Sequence, residues 1–324
     1  MENYRPLLEL FTAHLNAYTK GIEQKQPQEL YAPENYILSL GGKRIRPLLC
    51  LIGCDLFDKN VNEALNAALC VELFHNFSLI HDDILDKAPL RRGQPTVHSK
   101  WNSDIAILSG DVMLVKAFDV LKNYEEKKLK ALMSEFAKTA IEVCEGQQLD
   151  MNFESSDQVS VDEYIHMITN KTAVLLGCSL KMGAVCADAN ETDADHLYEF
   201  GKHLGVAFQL MDDVLDAFPE GDFGKQTGGD IIANKKTFLL IKAMELASGS
   251  KKEKLQNALT EKDPAQKVKN VLAIYNELNI KAFCNQEADK HTKEAIKHLH
   301  DIKARSDKKK QLEELAYQLL NRKT

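Results

Sequence analysis

No stretch of this chain alternates β-branched and polar residues as a half-buried strand would, and helix breakers are scarce, with 8 prolines and 16 glycines in 324 residues. With Ala, Leu, Lys and Glu abundant, that deficit favours helices throughout. A basic excess is also missing. The net charge is −7, without the basic stripe that marks a nucleic-acid-binding protein. An anionic substrate stays compatible if local basic residues and metal ions override the overall field. No G-x-S-x-G elbow occurs, no cysteine has an evident activating base, and the glycine-rich loop Asp222–Asp230 lacks Walker spacing. The segment from Met1 to Tyr18 is broken by Glu2, Arg5, Glu9 and His14, so it reads as neither signal peptide nor membrane span. The seven cysteines are odd in number and scattered among apolar residues. They read as reduced core thiols of a cytoplasmic protein.

What the chain does have is one unusual stretch, Leu73-Phe74-His75-Asn76-Phe77-Ser78-Leu79-Ile80-His81-Asp82-Asp83-Ile84-Leu85-Asp86, followed by Pro89 and Arg91-Arg92. As a helix, it puts Asp82 and Asp86 on one face, one turn or ~5.4 Å apart. Pro89 and Gly93 end the helix, so these acids sit in its last turn, where the dipole disfavours negative charge. Three acids at that end imply a compensating cation, and an all-oxygen set suits magnesium or calcium. A second copy lies 130 residues on, Gln209-Leu210-Met211-Asp212-Asp213-Val214-Leu215-Asp216, again followed by proline and glycine, Pro219 and Gly221.

The remaining pattern is helical and, at 44% hydrophobic, able to bury a large core. Helices are expected over 6–20, 34–40, 62–87, 101–122, 126–150, 161–186 and 193–217, with charged amphipathic helices from 250 onward. No linker divides them, so residues 1–324 read as one domain. Between the second helix and the third, Gly41-Gly42-Lys43-Arg44-Ile45-Arg46-Pro47 combines glycines, basic side chains and a helix start, an arrangement that binds phosphate. His75 lies seven residues before Asp82, two turns back on the acidic face. Lys171-Thr172 interrupts an otherwise apolar helix, and Lys225 and Lys235-Lys236-Thr237 follow the second acidic motif.

Two carboxylate clusters, several basic sites and no credible nucleophile fit a substrate with a polyanionic leaving group held by metal ions. The motifs G-G-K-R-x-R-P, H-D-D-x-x-D, R-R-G and the second D-D-x-x-D, in that order from Gly41 to Thr237, strongly resemble the trans-isoprenyl diphosphate synthases, or polyprenyl synthetases. The resemblance implies an all-α, single-domain helical bundle around a deep central cavity, and generally a homodimer. It implies condensation of an allylic diphosphate with isopentenyl diphosphate, assisted by three Mg2+ ions. It assigns Asp82 and Asp86 as metal ligands with Asp83 in support, and Asp212 as the main ligand of the second motif. Asp213 and Asp216 would act through water or hydrogen bonds. Lys43, Arg46, His75 and Arg92 match the isopentenyl diphosphate site; Arg91, Lys171 and Lys235 match the allylic site, with Lys225 near it. Thr172 and Gln209 match polar groups beside the developing cation, and Arg44 is a weaker match than its neighbours.

Rival readings are a class I terpene cyclase and a noncatalytic prenyl-binding subunit. A cyclase mixes Asn, Ser or Thr with Glu in its second motif and needs no isopentenyl site; a noncatalytic subunit would have no need of both intact motifs. The position of chain termination follows from the same resemblance. A tail running back from Asp82 passes Phe77, Ser78 and Phe74, at about one isoprene unit per turn. An aromatic there with a small neighbour and no insertion in Asp82–Asp86 inclines the product towards twenty carbons, geranylgeranyl, rather than fifteen, farnesyl.

Overall fold

The computed structural model describes residues 2–219 and 228–321. The expected role of Lys225 therefore lies outside the described residues. The described residues are all-α apart from one hairpin of two-residue strands, and no helix among them is long and apolar enough to cross a membrane. Contacts divide it into two compact units, each discontinuous in sequence. The first comprises the stretch ending at Ala140, Cys178–Tyr198 and Ile302–Gln311; the second comprises Ile141–Gly177, Glu199–Asp301 and the stretch from Leu312. Four of the five divisions fall inside helices, the fifth at the end of the helix Ile280–Asp301, so they coincide with no long linker.

The first unit holds α1 (Arg5–Ile22), α2 (Gln28–Ser39), α3 (Ile45–Asp55), α4 (Leu65–Leu85), β1 (Leu90–Arg91), β2 (Gln94–Pro95), α5 (Val97–Lys100) and α6 (Ser103–Asp119). It also takes the start of α7 (Glu126–Ser155). The helix α4 is the core of this unit, packing on α1, α3, α5 and α6. Every residue from Ala67 to Phe74 is buried, so the helix is covered on all sides rather than amphipathic, with Glu72 the one carboxylate in that run. Each buried Leu or Phe there contributes about 1.5–3 kcal/mol, whereas a carboxylate at a helix C-terminus costs about 1 kcal/mol or less. Burial therefore outweighs the misplaced acids. The expected start of α2 is six residues late: the helix begins at Gln28 and runs through Pro33. Pro33 removes one backbone hydrogen bond, and its burial with Glu34, Ile37 and Leu38 holds the helix across it.

The second unit holds the rest of α7, then α8 (Val161–Ile168), a π-helical turn (Thr169–Ala173) and the start of α9 (Val174–Cys186). The helix expected over 161–186 is thus broken in register at its middle. Next come most of α10 (Glu191–Ala217), α11 (Gly229–Ile232), α12 (Phe238–Leu246), α13 (Ser250–Leu259), α14 (Pro264–Glu277), α15 (Ile280–Asp301) and the end of α16 (Ser306–Leu320).

Candidate active site

Within the first unit, the end of α4 carries Asp82, half-buried, and Asp86, exposed. Asp83 points the other way and is 1% exposed. Its two oxygens accept from Arg91, Nε to Oδ2 and a guanidinium nitrogen to Oδ1, each at 2.8 Å. A buried carboxylate satisfied by a bidentate arginine is fixed in place. Asp83, expected in support of the metal ligands, therefore acts on Arg91, and Arg91, expected at the allylic diphosphate, is held by Asp83.

The Arg91-Arg92-Gly93 sequence is a hairpin tip. Arg92 and Gly93 both have positive φ, 54° and 75°, as a two-residue type I′ turn requires. The turn leaves Arg91 on β1 facing Asp83 and sends Arg92 to the Gly41 carbonyl, to which it donates. Gly42 has φ 128°, and a Cβ there would lie 2.9 Å from the Arg92 guanidinium. The double glycine thus lets an arginine come down onto bare backbone.

Next to this contact, Arg44 caps α3 in the left-handed region, φ 47° and ψ 40°. Its guanidinium donates to the Glu72 carboxylate and the Leu38 carbonyl, and Glu72, 2% exposed, also accepts from Asn76 at 2.8 Å. Arg44 is consequently a structural pin. That fixes the next residue but one, Arg46, whose guanidinium lies 3.3 Å from His75 Nε2. The buried Arg46 Nε has no hydrogen-bond partner among the described residues. Burial lowers Arg46 to about 10, with Glu72 opposing and Arg92 adding to the shift, so it remains charged at neutral pH. Burial pushes His75 well below its ordinary value, and the charges of Arg46, Arg92, Arg91 and Arg44 push the same way. A cationic nest with a buried, unsatisfied donor is built to receive an anion. Lys43, exposed, is at its rim.

Rings from three helices pack behind the acids of the first unit. Phe77 is 8% exposed and lies 4.7 Å from the His81 ring and 5.5 Å from Phe74. Phe74, fully buried, meets Phe136 edge-on at 5.3 Å, and Phe118 of α6 completes the layer. Ser78 is half-buried, its hydroxyl donating to the His75 carbonyl at 2.9 Å.

In the second unit, the acids of the second aspartate motif, near the C-terminal end of α10, have different surroundings. Asp213 is 3% exposed and accepts from Tyr164 at 2.5 Å and from Gln209 at 3.3 Å. Burial pushes it up to about 7; Asp230 adds to the rise, and the Tyr164 and Gln209 bonds oppose it. Asp216 accepts from the backbone N–H groups of Gly229 and Asp230 and so caps α11. Asp213 and Asp216 are thus engaged by hydrogen bonds, while Asp212 is half-buried on the same helix. Lys235 is 54% exposed and 3.8 Å from Asp230, whereas Lys236 turns away to the Phe153 carbonyl at 2.6 Å.

The π turn explains Lys171-Thr172. An extra residue per turn re-aims side chains, here sending Lys171 to Asp150 at 2.6 Å and the Thr172 hydroxyl to Gln209 at 3.3 Å. A Cβ on Gly146 would lie 2.3 Å from the Lys171 nitrogen, so only glycine lets α7 approach that turn. Glu72, Asp150, Tyr164 and Gly146 were not singled out for roles by sequence. Gly146 and Asp150, four residues and about one helical turn apart on α7, are the readable signal.

A family model described as polyprenyl synthetase matches residues 27–278. Geranylgeranyl diphosphate synthase of Methanosarcina mazei is 43% identical over 223 residues, 68% of this chain and 69% of that one. A crystal structure of a geranylgeranyl pyrophosphate synthase superposes with a TM-score of 0.94 at 41% identity, covering 100% of both chains. A polyprenyl synthase from Caulobacter crescentus, crystallised with calcium and isoprenyl diphosphate, has a TM-score of 0.86 at 26% identity, covering 100% of this chain and 98% of the other. With the paired aspartate motifs and the arginine nest in family order, these likenesses establish that the chain belongs to the polyprenyl synthetase family.

Proposed function

We propose that this polyprenyl synthetase condenses an allylic diphosphate with isopentenyl diphosphate and releases mainly the twenty-carbon geranylgeranyl diphosphate. One observation carries the reading: two aspartate-rich helix ends occur in a chain that also keeps a separate basic nest, which a one-substrate cyclase does not need. Arg46, His75, Arg92 and Lys43 hold the isopentenyl diphosphate, and the buried Arg46 Nε supplies a donor that this diphosphate would satisfy. Lys171, Lys235 and Arg91 hold the allylic diphosphate, with Arg91 kept in position by Asp83.

The donor chemistry fits Mg2+. Asp82 and Asp86 are hard oxygen donors on one helix face at a negative dipole end, and the relative crystallised with calcium supports a hard divalent cation of this kind. Asp82, Asp86 and Asp212 would hold the ions. Bound magnesium would neutralise the diphosphate charge that grows as the carbon–oxygen bond breaks. Thr172 and Gln209 present oxygen dipoles to the allylic cation, the isopentenyl double bond attacks it, and the proton leaves to the released diphosphate. That route accounts for the lack of a protein base; His75, held neutral among arginines, orients a substrate instead.

The enzyme is inferred to work as a homodimer in the cytoplasm. Exposed Ile107, Leu108 and Val115 on α6, at 42%, 59% and 67%, offer an apolar face for a second copy, and the seven cysteines are all free thiols. The test is incubation with dimethylallyl, geranyl or farnesyl diphosphate, isopentenyl diphosphate and Mg2+, followed by product sizing. A linear C20 diphosphate that requires isopentenyl diphosphate is the expected product. Cyclic hydrocarbon formed from the allylic substrate alone would identify a cyclase.

A further inference from the structure

Away from both aspartate motifs, the second unit gathers three imidazoles and a carboxylate where α10 packs beside α15. Glu199 and His203 are one turn apart on α10, and His291 and His298 are two turns apart on α15, so each pair shares a helix face. Ligand atoms of Glu199, His203 and His298 lie within 4.8 Å of one another. The His203 and His298 rings stack at 5.9 Å with a 17° interplanar angle. His203 Nδ1 is 2.9 Å from His291 Nδ1, and His291 Nε2 is 3.6 Å from Glu287. Nothing in the prenyl transfer chemistry uses these groups.

We propose that Glu199, His203 and His298, with His291 as a fourth ligand or as support, form a binding site for a borderline divalent transition metal of the zinc class. Three imidazoles and one carboxylate are the donor set that zinc takes, and they discriminate against magnesium, which prefers all-oxygen ligands. Ligand atoms in a tetrahedral zinc site are roughly 3.3 Å apart; rotation of half-exposed side chains closes the present spacing to that value. Burial lowers His203 to about 4, helped by the charges of His291 and Lys202, so it stays in the neutral form that coordinates metals. Glu199 is paired with Lys202 at 2.6 Å, a half-exposed ion pair whose exchange for a metal costs little. His291 would have its other nitrogen oriented by Glu287, the carboxylate–histidine–metal arrangement of many zinc sites. The metal would cross-brace α10, which carries Asp212 nine residues beyond His203, to α15.

The experiment is calorimetric titration of tag-free protein with Zn2+ in saturating Mg2+, so that the hard carboxylate sites are occupied. One ion per chain at micromolar or tighter Kd is expected, with a melting temperature raised by roughly 3 °C or more at a hundredfold excess over Kd. The H203Q/H298Q double variant should weaken binding about a hundredfold or more while its magnesium-dependent condensation is retained. If that variant does not fold, E199Q on the exposed side carries the same comparison. Absence of saturable Zn2+ binding by the wild-type protein overturns the proposal. So does unchanged affinity in a folded variant, or a sulfur-to-cobalt charge-transfer band in the Co2+ form, which would assign the metal to cysteine.

Discussion

Arg44 and Arg46 differ by two positions and have opposite duties. Arg44 spends its donors on Glu72 and a backbone carbonyl, while Arg46 keeps a buried Nε without a partner among the described residues. If the nest receives isopentenyl diphosphate, Arg92→Ala and Lys43→Ala should raise its KM at least tenfold and leave the allylic KM within a few-fold. Steady-state kinetics with each substrate varied checks this; a defect confined to the allylic substrate would mean the two sites are exchanged. His75 supplies a pH signature. Its folded value is pushed well below the ordinary ~6.5 by burial and by the arginines, so the unfolded chain binds more protons as pH falls below ~6.5. The stability that neutral His75 contributes is complete above that value and is lost progressively below it. The melting temperature of the substrate-free protein should fall between pH 7 and pH 5, and less steeply in His75→Gln. Equal steepness in the two proteins would remove His75 from the account. At this scale the spacing of the sequence made the acids and arginines legible. It set Asp83 and Asp213 apart from their neighbours without naming their partners, because a repeated motif does not say which carboxylate Arg91 or the buried Tyr164 will claim.

Among the elements, α4 carries the first aspartate motif and the residues proposed to limit product length. Its helical extent and acidic end were readable from the sequence; its place at the core of the first unit is a finding of the structure. Three further features were not readable. The R-R-G hairpin depends on two left-handed residues, only one of them glycine. Helix α2 tolerates Pro33 because burial compensates for the missing bond. The π turn at Thr169–Ala173 is a change of hydrogen-bond register, which leaves no mark on hydrophobic spacing. Phe77 lies against Phe74, which meets Phe136 edge-on, a group of rings that the proposed growing tail would meet. Phe77→Ala should shift the product distribution by at least one isoprene unit towards longer chains, and Ser78→Phe should shorten it. Product sizing checks both, and an unchanged distribution from two active variants would put the stop elsewhere.

At the scale of the molecule, all-α architecture followed from composition and period, whereas the division into two compact units did not, since all but one of its boundaries lie within continuous helices. The apolar face of α6 carries the expectation of a dimer. Leu108→Glu combined with Val115→Lys should convert a dimer to monomers in sedimentation velocity, and a wild-type protein that sediments as a monomer would contradict it. The central claim is that two aspartate motifs drive a head-to-tail condensation. Its most direct test is the initial rate at which labelled isopentenyl diphosphate enters an acid-labile allylic product at saturating Mg2+, in the wild type, Asp82→Ala and Asp212→Ala. Electrostatic stabilisation of the leaving diphosphate predicts robust incorporation by the wild type and a fall of ~100-fold or more in each variant. No incorporation by the folded wild-type protein, or near-normal rates in either variant, would contradict the account.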